Sequence, residues 1–435
     1  MFERLSVLRH ALGESRLMFT DRAALERHQG RLAARHLRWV AAHSADVARR
    51  LREAKLTPGE WRHLPPTDKA GMMEHFAQLN TVGLTLAQVL AVARRAEDTR
   101  DFSPTIRTRS GEVTVGLSSG TSGAQGAFLV SRAERLAWAG VTLRHLLPNW
   151  PGGLLTRQRV AFVLRAEGQL YRSVASSRLH FRFLDLLRPL PELAAELSSY
   201  NPTLLIGPPS VLRALLDAGA LASPVQVVSV AEVLEDADKL ALSTGFGPVV
   251  QVYQATEGLL GLPCAHGQLH LNEAHVHFDF EDVGGGYVRP VLTDLRRRAQ
   301  PMIRHRLNDL LRLGDACPCG LAARRIESVA GRQDEALSLP SVSGGRVTVW
   351  PDFVRGALNR VAGLREYRAE QTAERTVQLQ LEPDAPAIRA TATEAVQAAL
   401  QRLGVTETEL SCGPLEAAVP GAKRQRVRQR WTPDC

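Results

Sequence analysis

Between residues 111 and 253 short apolar runs alternate with longer amphipathic ones, and this alternation limits what the chain can fold into. GEVTVGL (111–117), RVAFVLR (159–165), TLLIG (203–207), VQVVSVA (225–231) and VVQVY (249–253) have strand length and many β-branched residues. The segments between them place apolar residues at helical spacing, at 131–147, 191–200, 209–219 and 236–244. Ser131, with Glu134 three residues on, forms a capping box at the first of these. Strands separated by helices are joined by crossovers, which predicts an α/β fold of layered, mainly parallel sheets.

The flanks follow other rules. Residues 21–56 read as a surface-packed helix ending before Pro65 and Pro66, 68–79 as another helix, and 103–112 as a loop. After 269 the run LHLNEAHVHFDFED alternates apolar and polar residues, and Gly284, Gly285 and Gly286 turn it into YVRPVLTDL. That pattern predicts an antiparallel hairpin within a small β subdomain spanning about 260–325. Beyond Gly331, strands near 346–350, 375–381 and 413–419 and helices near 352–362 and 391–403 describe a separate α+β module. A chain of 435 residues exceeds one ordinary domain. The expected division is a large domain over 1–330 and a small C-terminal domain over 331–435, joined by a hinge.

No stretch approaches the roughly 18 apolar residues of a membrane span, and charges interrupt the apolar residues of the N-terminal MFERLSVLRHALGESR. The chain reads as cytoplasmic, with no membrane partner. A net charge of +9 raises the question of nucleic acid. Of its basic residues only Lys55, Lys69, Lys239 and Lys423 are lysines, and the arginines are spread throughout. One dense cluster stands at the tail, Lys423, Arg424, Arg426, Arg428 and Arg430, either a solvated terminus or a functional one. Without a helix-turn-helix, RNA-recognition or finger pattern, nucleic acid is not an expected partner.

Four segments carry chemistry. LSSGTSGAQG (117–126), between a strand and a helix, offers backbone N–H and hydroxyl donors suited to phosphates; the chain has no Walker Gly-Lys-Ser/Thr. VYQATEG (252–258) puts Glu257 at a strand's carboxyl end, where open α/β sheets bind ligands, and a carboxylate there suits Mg2+. In MIRHRLNDL (302–310) Asp309 can accept ribose hydroxyls, while Arg304 and Arg306 can meet phosphates or pair with carboxylates. GRQD (331–334) stands at the domain junction, as hinge or plain linker.

In this order and spacing the four segments resemble the adenylate-forming superfamily of acyl-CoA ligases, luciferase-like enzymes and peptide-synthetase adenylation domains. Phenylacetate–CoA ligases and the synthetase that adenylylates the methanogen deazaflavin coenzyme are the most similar members. The resemblance is firm over about 60–335 and weaker beyond. It implies that Ser118, Ser119, Gly120, Thr121, Ser122 and Gly123 embrace the β- and γ-phosphates of ATP. Thr256 and Glu257 would sit at the α-phosphate and Mg2+, Tyr253 near the adenine, and Asp309 with Arg332 at the ribose. Asp334 would be the hinge. One departure is Gln125-Gly126, where most of the superfamily has Pro-Lys. The family's terminal catalytic lysine corresponds to Lys423, a compact ammonium in a chain that otherwise prefers arginine.

Cys264, His270, Cys317 and Cys319 make a Cys3His set, common for structural Zn2+, with His266 competing for the imidazole place. The resemblance to phenylacetate–CoA ligase-like proteins favours the zinc reading; Cys412 and Cys435 read as free thiols. The implied reaction joins a small-molecule carboxylate to AMP with release of pyrophosphate, then passes the acyl group to CoA or to the phosphopantetheine of a carrier protein. AMP transfer to a small-molecule hydroxyl, and a non-catalytic nucleotide or acyl binder, are the alternatives. Acid-pocket residues are expected around 162–185, 205–209 and 228–234, including His180, Phe181 and Phe183.

Overall fold

Four of the five expected strand segments meet in one parallel sheet with an unexpected fifth, Leu179–Asp185, whereas Gly111–Leu117 pairs antiparallel in a separate sheet. In the computed structural model of the chain, one sheet runs Leu179–Asp185, Gln158–Leu164, Leu204–Gly207, Gln226–Ser229 and Val249–Gln251, with every neighbour parallel. The structure describes residues 2–117, 126–164, 178–332, 335–406, 408–416 and 425–431, with residue 352 described by its backbone alone. The helices Leu190–Tyr200, Pro209–Asp217 and Asp236–Gly245 cover one face, where Leu205, Leu212, Leu215 and Leu242 are fully buried. Each such leucine contributes about 1.5–3 kcal/mol by leaving water. The other face packs Phe162, Ile206 and Val228 under Trp138 and Val141 of the helix Arg132–Leu146. Ser131 caps that helix, and Glu134 completes the capping box.

The chain divides into two compact units: Met1–Leu307 with Leu313–Glu327, and Asn308–Arg312 with Ser328–Cys435. The first also holds an antiparallel sheet of Thr105–Thr108, Gly111–Leu117 and Ala127–Ser131, and a second of Tyr253–Ala255, Gly258–Pro263 and Leu269–Leu271. The hairpin Val276–Gly284/Tyr287–Asp294 turns at the expected glycines. Its N-terminal helix Phe2–Glu14 lies against Arg132–Leu146 at Gly140, where a Cβ would stand 2.8 Å from Val7 O and 2.9 Å from Ala11 N. Only a residue without a side chain permits that approach.

In the second unit, four strands run in the order Glu409–Pro414, Thr376–Glu382, Glu366–Ala373 and Val427–Gln429. The helices Pro351–Leu358 and Pro386–Arg402 complete its core through Leu358, Val396 and Leu400.

Several expected elements differ. Residues 105–108 form a strand, because Thr105–Thr108 pairs antiparallel with 111–114. The expected helix 21–56 is two, Arg22–His43 and Ala45–Glu53, since Ser44 leaves the helical region and caps the second. VVQVY is two strands in different sheets: Val249–Gln251 closes the parallel sheet and Tyr253–Ala255 opens the antiparallel one. No helix among the described residues is long and apolar enough to cross a membrane.

Candidate functional site

Thr256 and Glu257 are the two residues between paired Ala255 and Gly258, so they form the tip of a hairpin. Glu257 is buried, and its Oε2 accepts from Thr256 Oγ1 at 2.9 Å. Its Oε1 lies 3.8 Å from Nε2 of His305. Burial pushes the His305 imidazole's pKa down, so at neutral pH the ring carries no charge to neutralise Glu257. A buried carboxylate with a hydroxyl beside it is a donor set that hard cations accept. Tyr253 is buried three residues before the tip.

The arginines on either side of His305 are engaged elsewhere. Arg306 forks onto Glu281, Nε at 3.0 and 2.9 Å and Nη2 at 2.6 Å, and that guanidinium holds the Glu281 carboxyl below its ordinary range. Arg304 pairs with Asp279 and donates to Leu64 O at 3.1 Å. Of the two options open to this pair in the sequence, carboxylates take both.

Sequence reasoning missed the braces behind the tip. Arg297, within the charged run 296–298, is buried and donates to the carbonyls of both tip residues. Gln300 is fully buried and ties the same segment to the strand Ala127–Ser131. A run of three arginines looks solvated in sequence, and no local pattern marks Arg297 as the buried one. The expected phosphate-loop residues Ser118, Ser119, Gly120, Thr121, Ser122 and Gly123 lie outside the described residues, as do Lys423 and Asp334.

The second unit brings Asp309 and Arg332 together, with Arg332 Nε 3.5 Å from Asp309 Oδ1. The arginine follows Gly331, whose φ of +104° suits glycine and whose added Cβ would meet Glu335 Oε2 at 2.8 Å. The described part of the basic tail is not a solvated terminus. Arg426 forks onto Glu366 at 2.8 and 3.2 Å and covers the Tyr367 ring at 4.8 Å. Arg428 pairs with the buried Glu370, which also takes Arg430 Nε at 3.2 Å.

Cys264, His270, Cys317 and Cys319 converge, with one ligand atom from each lying within 4.8 Å of the others. Cys264 Sγ is 3.9 Å from Cys317 Sγ, and Cys319 Sγ is 3.5 Å from His270 Nε2. Zn–S bonds of about 2.3 Å and Zn–N bonds of about 2.0 Å put tetrahedral ligands roughly 3.4–3.8 Å apart. The residues therefore fit zinc. His270 Nδ1 meets Ala323 O at 2.8 Å, which turns Nε2 toward the thiols and fixes the tautomer a ligand needs. His266 does not join this set; its backbone N–H donates to Cys264 Sγ at 3.4 Å. The expected pocket aromatics Phe181 and Phe183 pack on the apolar face of the parallel sheet, Phe181 stacked on Phe162 at 5.8 Å.

No family profile matches the chain, and no curated protein matches it in sequence. Solved structures do match. A 2-hydroxyisobutyryl-CoA ligase in complex with 2-HIB-AMP superimposes with a TM-score of 0.68 at 20% identity, over 93% of this chain and 89% of that one. An acyl acid amido synthetase gives 0.60 at 11% identity, over 96% and 93%. An anthranilate CoA ligase in complex with anthranoyl-AMP gives 0.51 at 14% identity, over 71% and 66%.

Proposed function

We propose, from the premise that this chain has the fold of the adenylate-forming superfamily, that it uses ATP and Mg2+ to activate a carboxylic acid as its acyl-AMP. Pyrophosphate leaves, and a thiol of CoA or of a carrier protein then takes the acyl group. One observation carries this reading. A chain bearing the ordered Ser/Gly, Thr-Glu-Gly and Asp309 segments matches, over nearly its whole length, a ligase solved with its acyl adenylate.

The roles follow from charge. Mg2+, when bound, neutralises phosphate oxygens and orients the triphosphate. Glu257 supplies the buried anionic ligand for it, and Thr256 fixes the carboxylate's rotamer by its hydrogen bond. Ser118, Ser119, Gly120, Thr121, Ser122 and Gly123 hold the β- and γ-phosphates through backbone and hydroxyl donors. This duty weighs more heavily on them because Gln125-Gly126 replaces the usual Pro-Lys. Asp309 and Arg332 take the ribose hydroxyls, with Tyr253 at the adenine. Lys423 brings one ammonium to the charge that gathers on the α-phosphate and the attacking carboxylate. Asp334 serves as the hinge for that approach. Cys264, His270, Cys317 and Cys319 hold a structural Zn2+, in keeping with a reducing, cytoplasmic setting.

ATP–pyrophosphate exchange over a panel of aryl and aliphatic acids tests the proposal. Exchange with at least one acid, lost in Lys423→Ala, is expected; no exchange with any acid overturns it. An amine acceptor is the second reading, favoured by the likeness to an amido synthetase over 96% of this chain. Mass analysis of the product formed with CoA or with amino acids separates the two.

A further inference from the structure

The tip that carries Glu257 is held from behind by one buried cation. Arg297 Nη1 donates to Thr256 O at 2.9 Å and to Glu257 O at 2.8 Å. Its Nη2 donates to Leu129 O and to Gln300 Oε1, both at 3.2 Å. Gln300 Oε1 also accepts from the Leu129 N–H at 2.9 Å, and its Nε2 donates to Ala127 O at 3.3 Å. Ala127 begins the strand that follows Gly126, the last residue of the Ser/Gly segment. One guanidinium and one amide thus join the strand leaving that segment to the hairpin tip.

The segment bearing both residues is itself fixed. The Asp294 carboxylate accepts the N–H groups of Arg296 at 2.8 Å and Arg297 at 2.9 Å. Glu134 Oε1 accepts those of Arg298 and Ala299, while its Oε2 completes the capping box at Ser131.

A purely structural brace does not need this chemistry. Burying a guanidinium costs several kcal/mol, which is recovered only when its hydrogen bonds are well placed. Arg297 directs four hydrogen bonds to uncharged oxygens, three of them backbone carbonyls. Among the described residues its charge is balanced through space, by Glu134, Asp294 and Glu257. The result is a fixed positive charge behind a turn whose front presents a carboxylate and a hydroxyl.

We infer that Arg297, oriented by Gln300, is a positioning residue that sets Glu257 and the strand leaving the Ser/Gly segment in one register for a Mg2+-bound nucleotide. The inference rests on the adenylate-forming reading above. It predicts that the brace matters to the metal-bound nucleotide far more than to ATP alone.

The test is calorimetric titration of the full chain with ATP, in excess Mg2+ and in EDTA. In the native protein Mg2+ tightens ATP. In Arg297→Met that tightening falls by about tenfold or more, the scale on which sub-ångström misplacement of a site is felt. Affinity in EDTA falls by less, because the Ser/Gly donors remain in the chain while the tip bearing Glu257 loses both of its carbonyl anchors. Gln300→Met shifts the same ratio in the same direction by less, and Arg297→Lys, with one ammonium for two carbonyls, restores part of it. Should Arg297→Met fail to fold, Gln300→Met and Arg297→Lys decide the matter. Native ATP binding that Mg2+ tightens, unchanged in the variants that fold, overturns this inference alone. A native chain that binds no ATP in either condition overturns the adenylate-forming reading with it.

Discussion

The Cys/His cluster closes a long loop, and that makes its contribution calculable. Cys264 and Cys317 are 53 residues apart in the chain, with sulfurs at 3.9 Å. A cross-link closing a loop of that length removes about 4 kcal/mol of denatured-state entropy. For a unit of this size each kcal/mol moves the melting temperature by about 2 °C, so metal loss should lower it by roughly 8 °C. The perturbation is Cys319→Ser, which removes one thiolate and leaves Cys264, Cys317 and His270 in place. Elemental analysis of protein purified without chelator should give one zinc per native chain and little in the variant. Differential scanning calorimetry should show the lower melting temperature, reproduced in the native chain by dialysis against a strong chelator and reversed by added Zn2+. A native protein that carries no zinc after exposure to it, or that melts unchanged with and without it, refutes the reasoning.

Other outcomes follow from single contacts. Glu257→Gln keeps the tip's shape but removes its charge, and adenylation measured by pyrophosphate exchange should fall by about 100-fold or more with little change in melting temperature. His145 is partly buried and its pKa is pushed down to about 4, chiefly by desolvation and against the pull of Glu14. The unfolded chain therefore binds the extra proton between that value and about 6.5, and stability drops as pH falls through this window by up to about 3 kcal/mol. Urea unfolding at about pH 7.5 and about pH 5 should show the loss, and His145→Leu should shrink it. Gly140→Val drives a side chain into the helix Phe2–Glu14, and overpacking of this kind costs about 1–3 kcal/mol in the same unfolding assay.

What could be read in the sequence was local or periodic. Ser131 and Glu134 announce a helix start because a capping box lies within four residues, and the structure has it at that place. Four strands of the parallel sheet were legible because strands buried on both faces, such as LLI at 204–206, are continuously apolar. Thr105–Thr108 was not, since a polar edge strand of Thr and Arg has no hydrophobic signature and exists only by pairing with 111–114. The break at Val252 was hidden because one apolar run serves two sheets. The Cys3His set was legible because thiols and imidazoles are few, and the structure gathers the four residues named. Arg297 and Gln300 were not, for a reason that recurs at the tail. An arginine's role depends on its partners, and Glu366 and Glu370 stand about sixty positions from Arg426 and Arg428.

The proposed chemistry turns on cleavage of ATP between its α- and β-phosphates. The direct measurement mixes the chain with ATP, Mg2+ and an acid that supports exchange, omits any acceptor, and resolves protein-bound and released products by mass spectrometry. Cleavage there leaves acyl-AMP on the protein and pyrophosphate in solution, in equal amounts. ADP with inorganic phosphate, or AMP attached to a hydroxyl in place of the carboxylate, would contradict it.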